Sequence, residues 1–169
     1  MKIVRFSILA VVFVLLNSCV YHFAGKYASL PGGIRTVYID SIENLTYEPN
    51  LHVKLKKYLL DELNLDTRVK LTNKNDAQGL IEVKITKYNI SPSAFDKSGF
   101  ASMYRCFVVA TVSLKNSKGY VIKNKSVSSY KDYSSNDLIS ATEIARNSVS
   151  NYVLKDLASK IKDELFVGF

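Results

Sequence analysis

Between residues 81 and 86 the chain alternates strictly. Ile81, Val83 and Ile85 share one parity, and Glu82, Lys84 and Thr86 share the other. A period of two is that of a strand with one buried face, so a strand is predicted over residues 80–90. The alternation returns over residues 103–115, where Cys106, Val108, Ala110, Val112 and Leu114 oppose Arg105, Thr111, Ser113 and Lys115. Residues 34–41 are rich in β-branched and aromatic side chains and predict a further strand. Residues 120–130 follow the turn sequence of residues 116–119 and read as a fourth strand closing a hairpin, although their alternation is poor. The period becomes helical over residues 50–64: Leu51, Leu55, Tyr58, Leu59 and Leu63 form a stripe opposite Lys54, Lys56, Lys57, Asp61 and Glu62, just after Pro49. A second helix is predicted over residues 138–165, with Ile144, Ala145, Val149, Tyr152, Val153, Leu157, Ile161 and Leu165 on one stripe.

The resulting order is β-α-β-β-β-α. It predicts a two-layer α+β sandwich: a four-stranded, mostly antiparallel or mixed sheet with two amphipathic helices on one face. Both helical stripes read as core packing rather than partner grooves. Residues 43–50, 73–78 and 132–137 read as loops, and residues 69–71 as a short extended piece. Residues 91–102 hold Pro92 and Gly99 and read as a mobile loop.

Composition narrows the class without changing this picture. The chain has 169 residues, the size of one domain, and 47% of them are hydrophobic, so it can bury a core and is not disordered. Two cysteines do not make a disulfide scaffold, and no internal repeat is visible.

The N-terminus carries a different pattern. Lys2 and Arg5 precede an apolar run over residues 6–16 that is too short to span a bilayer in a helix, which takes about 20 residues. It has the length of a secretory signal core. Leu16-Asn17-Ser18-Cys19 follows and resembles the lipobox of bacterial lipoproteins, with Asn17 less usual at its place. That resemblance implies cleavage after residue 18 and diacylation of Cys19. Residues 1–18 are thus expected to be a signal peptide, 19–33 a lipid-anchored segment and 34–169 one domain. Val20 after the cysteine, rather than Asp, implies the outer membrane, on its periplasmic side. Loss of the signal leaves 21 basic against 15 acidic residues.

No nucleophile elbow, zinc-protease, P-loop or paired-cysteine motif is present, so no enzyme, cofactor or metal site is predicted. His22 and His52 have no evident catalytic partner. Cys106 falls on the buried parity of its strand and reads as a small core residue. Asn44, Thr46, Glu48 and Pro49 read as loop-forming groups, with Asn50 or its neighbours capping the first helix. Charge is the stronger signal. Lys97, Arg105, Lys115, Lys118, Lys123, Lys125 and Lys131 lie in a stretch with no Asp or Glu, whereas the rest of the mature chain is nearly neutral. Nucleic acid is set aside as a partner, because an exported, lipid-anchored chain does not meet it and the aromatics follow no RNA-binding pattern.

Taken in order, the motifs resemble the lipopolysaccharide-assembly lipoprotein family LptE. Cys19-Val20-Tyr21-His22-Phe23 is similar to its Cys-Gly-Tyr-x-Phe start. Leu30-Pro31-Gly32-Gly33-Ile34 is similar to its lead into the first strand. Asn44-Leu45-Thr46-Tyr47-Glu48-Pro49-Asn50-Leu51 is similar to its Asn-x-Thr-x-Glu-Pro-Gly-Leu element, with Asn50 in place of Gly. The resemblance covers residues 19 to about 165. It implies a lipid-anchored outer-membrane protein that plugs and stabilises the LptD β-barrel and assists lipopolysaccharide export to the outer leaflet. The alternative is a lipid-anchored periplasmic scaffold or activator of another envelope machine. On the first reading the seven basic residues would meet lipid A phosphates or an acidic barrel wall. They equally suit a solvated sheet edge guarded by lysine.

Overall fold

The computed structural model describes residues 30–134 and 139–167. The expected signal peptide, Cys19 and part of the last predicted loop lie outside the described residues. A single 3-10 turn at Pro31–Gly33 leads into β1 (Thr36–Asn44), α1 (Leu51–Leu65), β2 (Lys70–Leu71), β3 (Gly79–Phe95), β4 (Ala101–Asn116), β5 (Val121–Ser134) and α2 (Ile139–Phe166). The strands form one mixed sheet in the order β2-β1-β3-β4-β5. β1 runs parallel to both its neighbours, and β3–β4–β5 is an antiparallel meander.

The expected α+β plan holds, with a fifth strand. That strand is the short extended piece, whose Lys70 and Leu71 pair with Thr36 and Val37. The predicted loop over residues 91–102 is a second difference. β3 runs to Phe95 and β4 starts at Ala101, so only residues 96–100 turn. Pro92 is accommodated because β1 stops pairing at Ile85, which leaves β3 an open edge there. The register also shifts on either side of Ala94. Proline is tolerated at edges and bulges, where no ladder bond depends on its missing N–H.

The core lies between one sheet face and the two helices. Leu51, Leu55, Leu59 and Leu63 bury the expected stripe of α1. α2 keeps the expected Val153, Leu157, Ile161 and Leu165 and departs from the stripe at two positions. Its buried line includes Val153, Leu154, Leu157, Ala158, Ile161 and Leu165, whereas Ile144 and Tyr152 are exposed. Its hydrophobic arc is wide enough that spacing alone admits more than one stripe. From the sheet, Val37, Ile39, Ile81, Val83, Ile85 and the β4 series from Cys106 to Leu114 fill the other side. Cys106 is fully buried, as its parity predicts.

Candidate interaction surface

The loop between β1 and α1 is built by its own side chains. Asn44 donates from Nδ2 to the Glu48 carbonyl at 2.6 Å. Its Oδ1 accepts from the Thr46 N–H at 3.1 Å and the Thr46 hydroxyl at 2.8 Å. Asn50 makes no side-chain cap. Instead it takes φ 61° in the left-handed region, which asparagine tolerates better than most residues and glycine better still. The expected cap is therefore replaced by a backbone bend. Glu48 then reaches α2, where Arg146 donates to it at 2.8 Å. Beside this pair the Tyr88 and Ser150 hydroxyls lie 2.7 Å apart. Burial pushes the Tyr88 phenol up to about 12 and also raises the Cys106 thiol next to it. This latch between α2, β3 and the loop was invisible in sequence, because its bonded partners lie as much as 98 residues apart.

Each end of β4 carries the same turn. Over residues 96–100, Asp96 Oδ1 accepts the N–H groups of Ser98 and Phe100. Over residues 116–120, Asn116 Oδ1 accepts those of Lys118 and Tyr120. Gly99 and Gly119 supply φ of 83° and 86°, which residues with a Cβ rarely adopt. Each turn presents an exposed lysine and an exposed aromatic, Lys97 with Phe100 and Lys118 with Tyr120. A 16-residue strand is roughly 50 Å long, so the two turns mark opposite ends of the molecule.

The poor alternation of β5 has a structural cause. Its helix-facing side meets polar groups on α2. Lys131 Nζ stands 5.0 Å from the Tyr152 ring centroid, and the Ser129 hydroxyl donates to Asp156 at 2.5 Å. Lys123 is inserted under the C-terminus of α2. Its ammonium donates to the Glu164 carbonyl and to the Val167 carbonyl at 2.7 Å, and lies 3.2 Å from the Glu164 carboxylate. Burial works to raise the Asp156 carboxyl. The hydrogen bonds from Lys160 and Ser129 together outweigh it, so the carboxyl sits below its ordinary value.

The seven cations singled out by sequence are therefore not one patch. Lys123 is only 5% exposed and serves helix α2, not a surface. Arg105 makes a two-pronged pair with Asp132 at 2.7 and 2.8 Å and covers the Tyr130 ring at 4.5 Å. That hydrogen bonding raises the Arg105 guanidinium and lowers the Asp132 carboxyl. Lys115 pairs with Glu82 at 2.5 Å. Both pairs lie on the sheet face away from the helices, beside Lys84–Glu43 at 3.3 Å. Lys97 and Lys118 sit on opposite turns. Lys125 and Lys131 remain exposed on β5, an edge strand with no strand partner on its outer side among the described residues.

The two ends also differ in what they expose. At the end holding Leu30, Tyr120 and the C-terminus of α2, the exposed apolar side chains among the described residues are Leu65, Tyr120, Val121 and Val167. The far end exposes Phe95, Phe100 and Met103, with Lys97 among them.

A family model described as LptE, lipopolysaccharide-assembly, matches residues 34–165. No curated protein matches the sequence. Solved structures share the fold at low identity. The rare lipoprotein B of Shewanella oneidensis superposes with a TM-score of 0.56 at 13% identity, covering 77% of this chain and 92% of that one. Lipoprotein B of Nitrosomonas europaea gives 0.55 at 13% identity, covering 83% and 84%. A minor lipoprotein of Acinetobacter baumannii gives 0.51 at 17% identity, covering 78% and 90%.

Proposed function

The chain belongs to the lipopolysaccharide-assembly family LptE, and from that membership we propose that it is an outer-membrane lipoprotein, anchored through acylated Cys19, that plugs and stabilises an LptD-like β-barrel during lipopolysaccharide export. The match over residues 34–165 carries the reading, since it spans nearly the whole folded domain. The task is non-catalytic. The protein holds a partner in shape and contacts its cargo.

Three features support the geometry. The chain enters the domain at buried Leu30, eleven residues after Cys19. Eleven residues reach at most roughly 40 Å, which keeps that end near the anchoring leaflet. The opposite end, with Phe95, Phe100 and Met103 exposed at the β3–β4 turn, is then the one free to enter a lumen. The outer sheet face is polar and internally paired through Arg105–Asp132, Lys115–Glu82 and Lys84–Glu43, which suits a hydrated barrel interior. Within this reading Lys125 and Lys131 are the cations best placed for lipid A phosphates, because they are exposed and have no carboxylate partner among the described residues.

Purification of the tagged full-length protein from detergent-solubilised outer membrane tests the proposal. Recovery of a large β-barrel in equal stoichiometry, with diacyl mass on the Cys19 peptide, is the expected outcome. Recovery of a cell-wall synthase or a secretion ring instead would overturn it.

A further inference from the structure

The unit β1–α1–β2 is built like a strand–helix–strand crossover, but its second strand stops after two residues. β2 pairs only Lys70 and Leu71 with β1, and the Thr72 N–H donates once more, to the Val37 carbonyl at 3.0 Å. Beyond that point β1 runs on to Asn44 with no strand on this edge among the described residues. α1 nevertheless continues alongside it. The result is an open groove of about 670 Å³ where the rest of a strand would lie.

The walls of this groove specify an occupant. Ile42 of β1 and Val53 and Leu60 of α1 supply apolar surface, and Val53 is exposed. Lys56 and Lys57 line the helix side, and neither has a carboxylate within ion-pair distance among the described residues. On the strand side Asp40 is already taken by Lys74 at 2.5 Å. The remaining charge is thus cationic, with Asp61 as its one carboxylate. An unpaired strand edge offers backbone N–H and C=O groups as a template for an added strand, and on β1 the row is interrupted once, at Asp40, where the register with β3 shifts.

We propose that this groove accepts an extended segment of a partner protein, bearing carboxylate side chains, which adds to β1 as a strand over residues 38–44. Backbone hydrogen bonds to β1 supply the affinity. Lys56 and Lys57 select acidic over basic segments, and Ile42, Val53 and Leu60 seat the apolar residues of the segment. The stub β2 and the Lys74–Asp40 pair close one end of the groove and fix where the added strand begins. The proposal is independent of the lipopolysaccharide reading, because it uses none of the β5 cations and neither turn of β4.

The probe is a nine-residue peptide of alternating valine and glutamate with fluorescein on its N-terminus, with an equally labelled valine–lysine peptide as its counterpart. Both are added to the full-length protein in detergent micelles, and binding is read by fluorescence polarisation and by amide hydrogen exchange. The expected result is binding of the glutamate peptide with exchange slowed over residues 38–44. Its preference over the lysine peptide should fall at least tenfold in a Lys56→Glu/Lys57→Glu variant. These two side chains are exposed, so the variant keeps the fold. Slowed exchange on β5 instead of β1, or an unchanged preference in the variant, would overturn the proposal. So would protection of residues 38–44 that rises with protein concentration in the absence of peptide, because it would make a second copy of the chain the occupant.

Discussion

At the scale of single residues, Lys123 shows how far charge and role can separate. It sits in the most basic stretch of the sequence, yet its ammonium answers backbone carbonyls at the end of α2. Terminal helix carbonyls have no partner within the helix and carry the negative end of its dipole, so a cation there is stabilising. Removing the charge strands those carbonyls in a buried site. Lys123→Met is expected to cost about 2–3 kcal/mol of unfolding free energy, measured by urea denaturation. A change within error would mean that water replaces the ammonium freely. Lys125→Met, two residues on and exposed, should change stability by less than about 0.5 kcal/mol in the same measurement.

At the scale of elements, α2 is held to the sheet by a polar seam at β5 and by the latch of Tyr88, Ser150, Arg146 and Glu48. The latch has a defined pH behaviour. Burial raises the Tyr88 phenol to about 12, above its ordinary 10. The unfolded chain releases this proton first, so the contribution of Tyr88 to folding is complete below about pH 10 and is lost as pH rises towards about 12. Stability measured by denaturant at about pH 9 and about pH 11.5 should fall more steeply in the parent than in Tyr88→Phe. Equal slopes would show that other tyrosines carry the alkaline loss. Tyr133, also raised by burial, remains as a background in both proteins.

At the scale of the whole molecule, the cations divide by position. Lys97 lies at one end of β4 and Lys118 at the other, while Lys125 and Lys131 line the open edge of β5. If β5 meets phosphate, Lys125→Glu/Lys131→Glu should weaken retention on lipopolysaccharide roughly three- to tenfold and flatten its salt dependence. Lys97→Glu should leave both unchanged. Weakening by Lys97→Glu alone would move the contact to the far turn.

The sequence by itself determined the elements whose burial is one-sided. The strict alternation around Ile81–Ile85 and along β4, and the four-residue spacing of Leu51, Leu55, Leu59 and Leu63, are each fixed by one element packing against one core, so period alone reveals them. The loop motif from Asn44 to Asn50 was legible for the same reason, since its hydrogen bonds close within four residues. Tertiary structure decided the rest. β5 reads poorly because its inner face meets the polar flank of α2, a partner that local pattern does not reveal. The stretch that holds the seven basic residues looked like one surface because sequence distance ignores strand length, and a roughly 50 Å strand parts Lys97 from Lys118. The groove beside β1 exists only because β2 stops after two residues, and what a strand fails to pair with is a property of the assembled sheet.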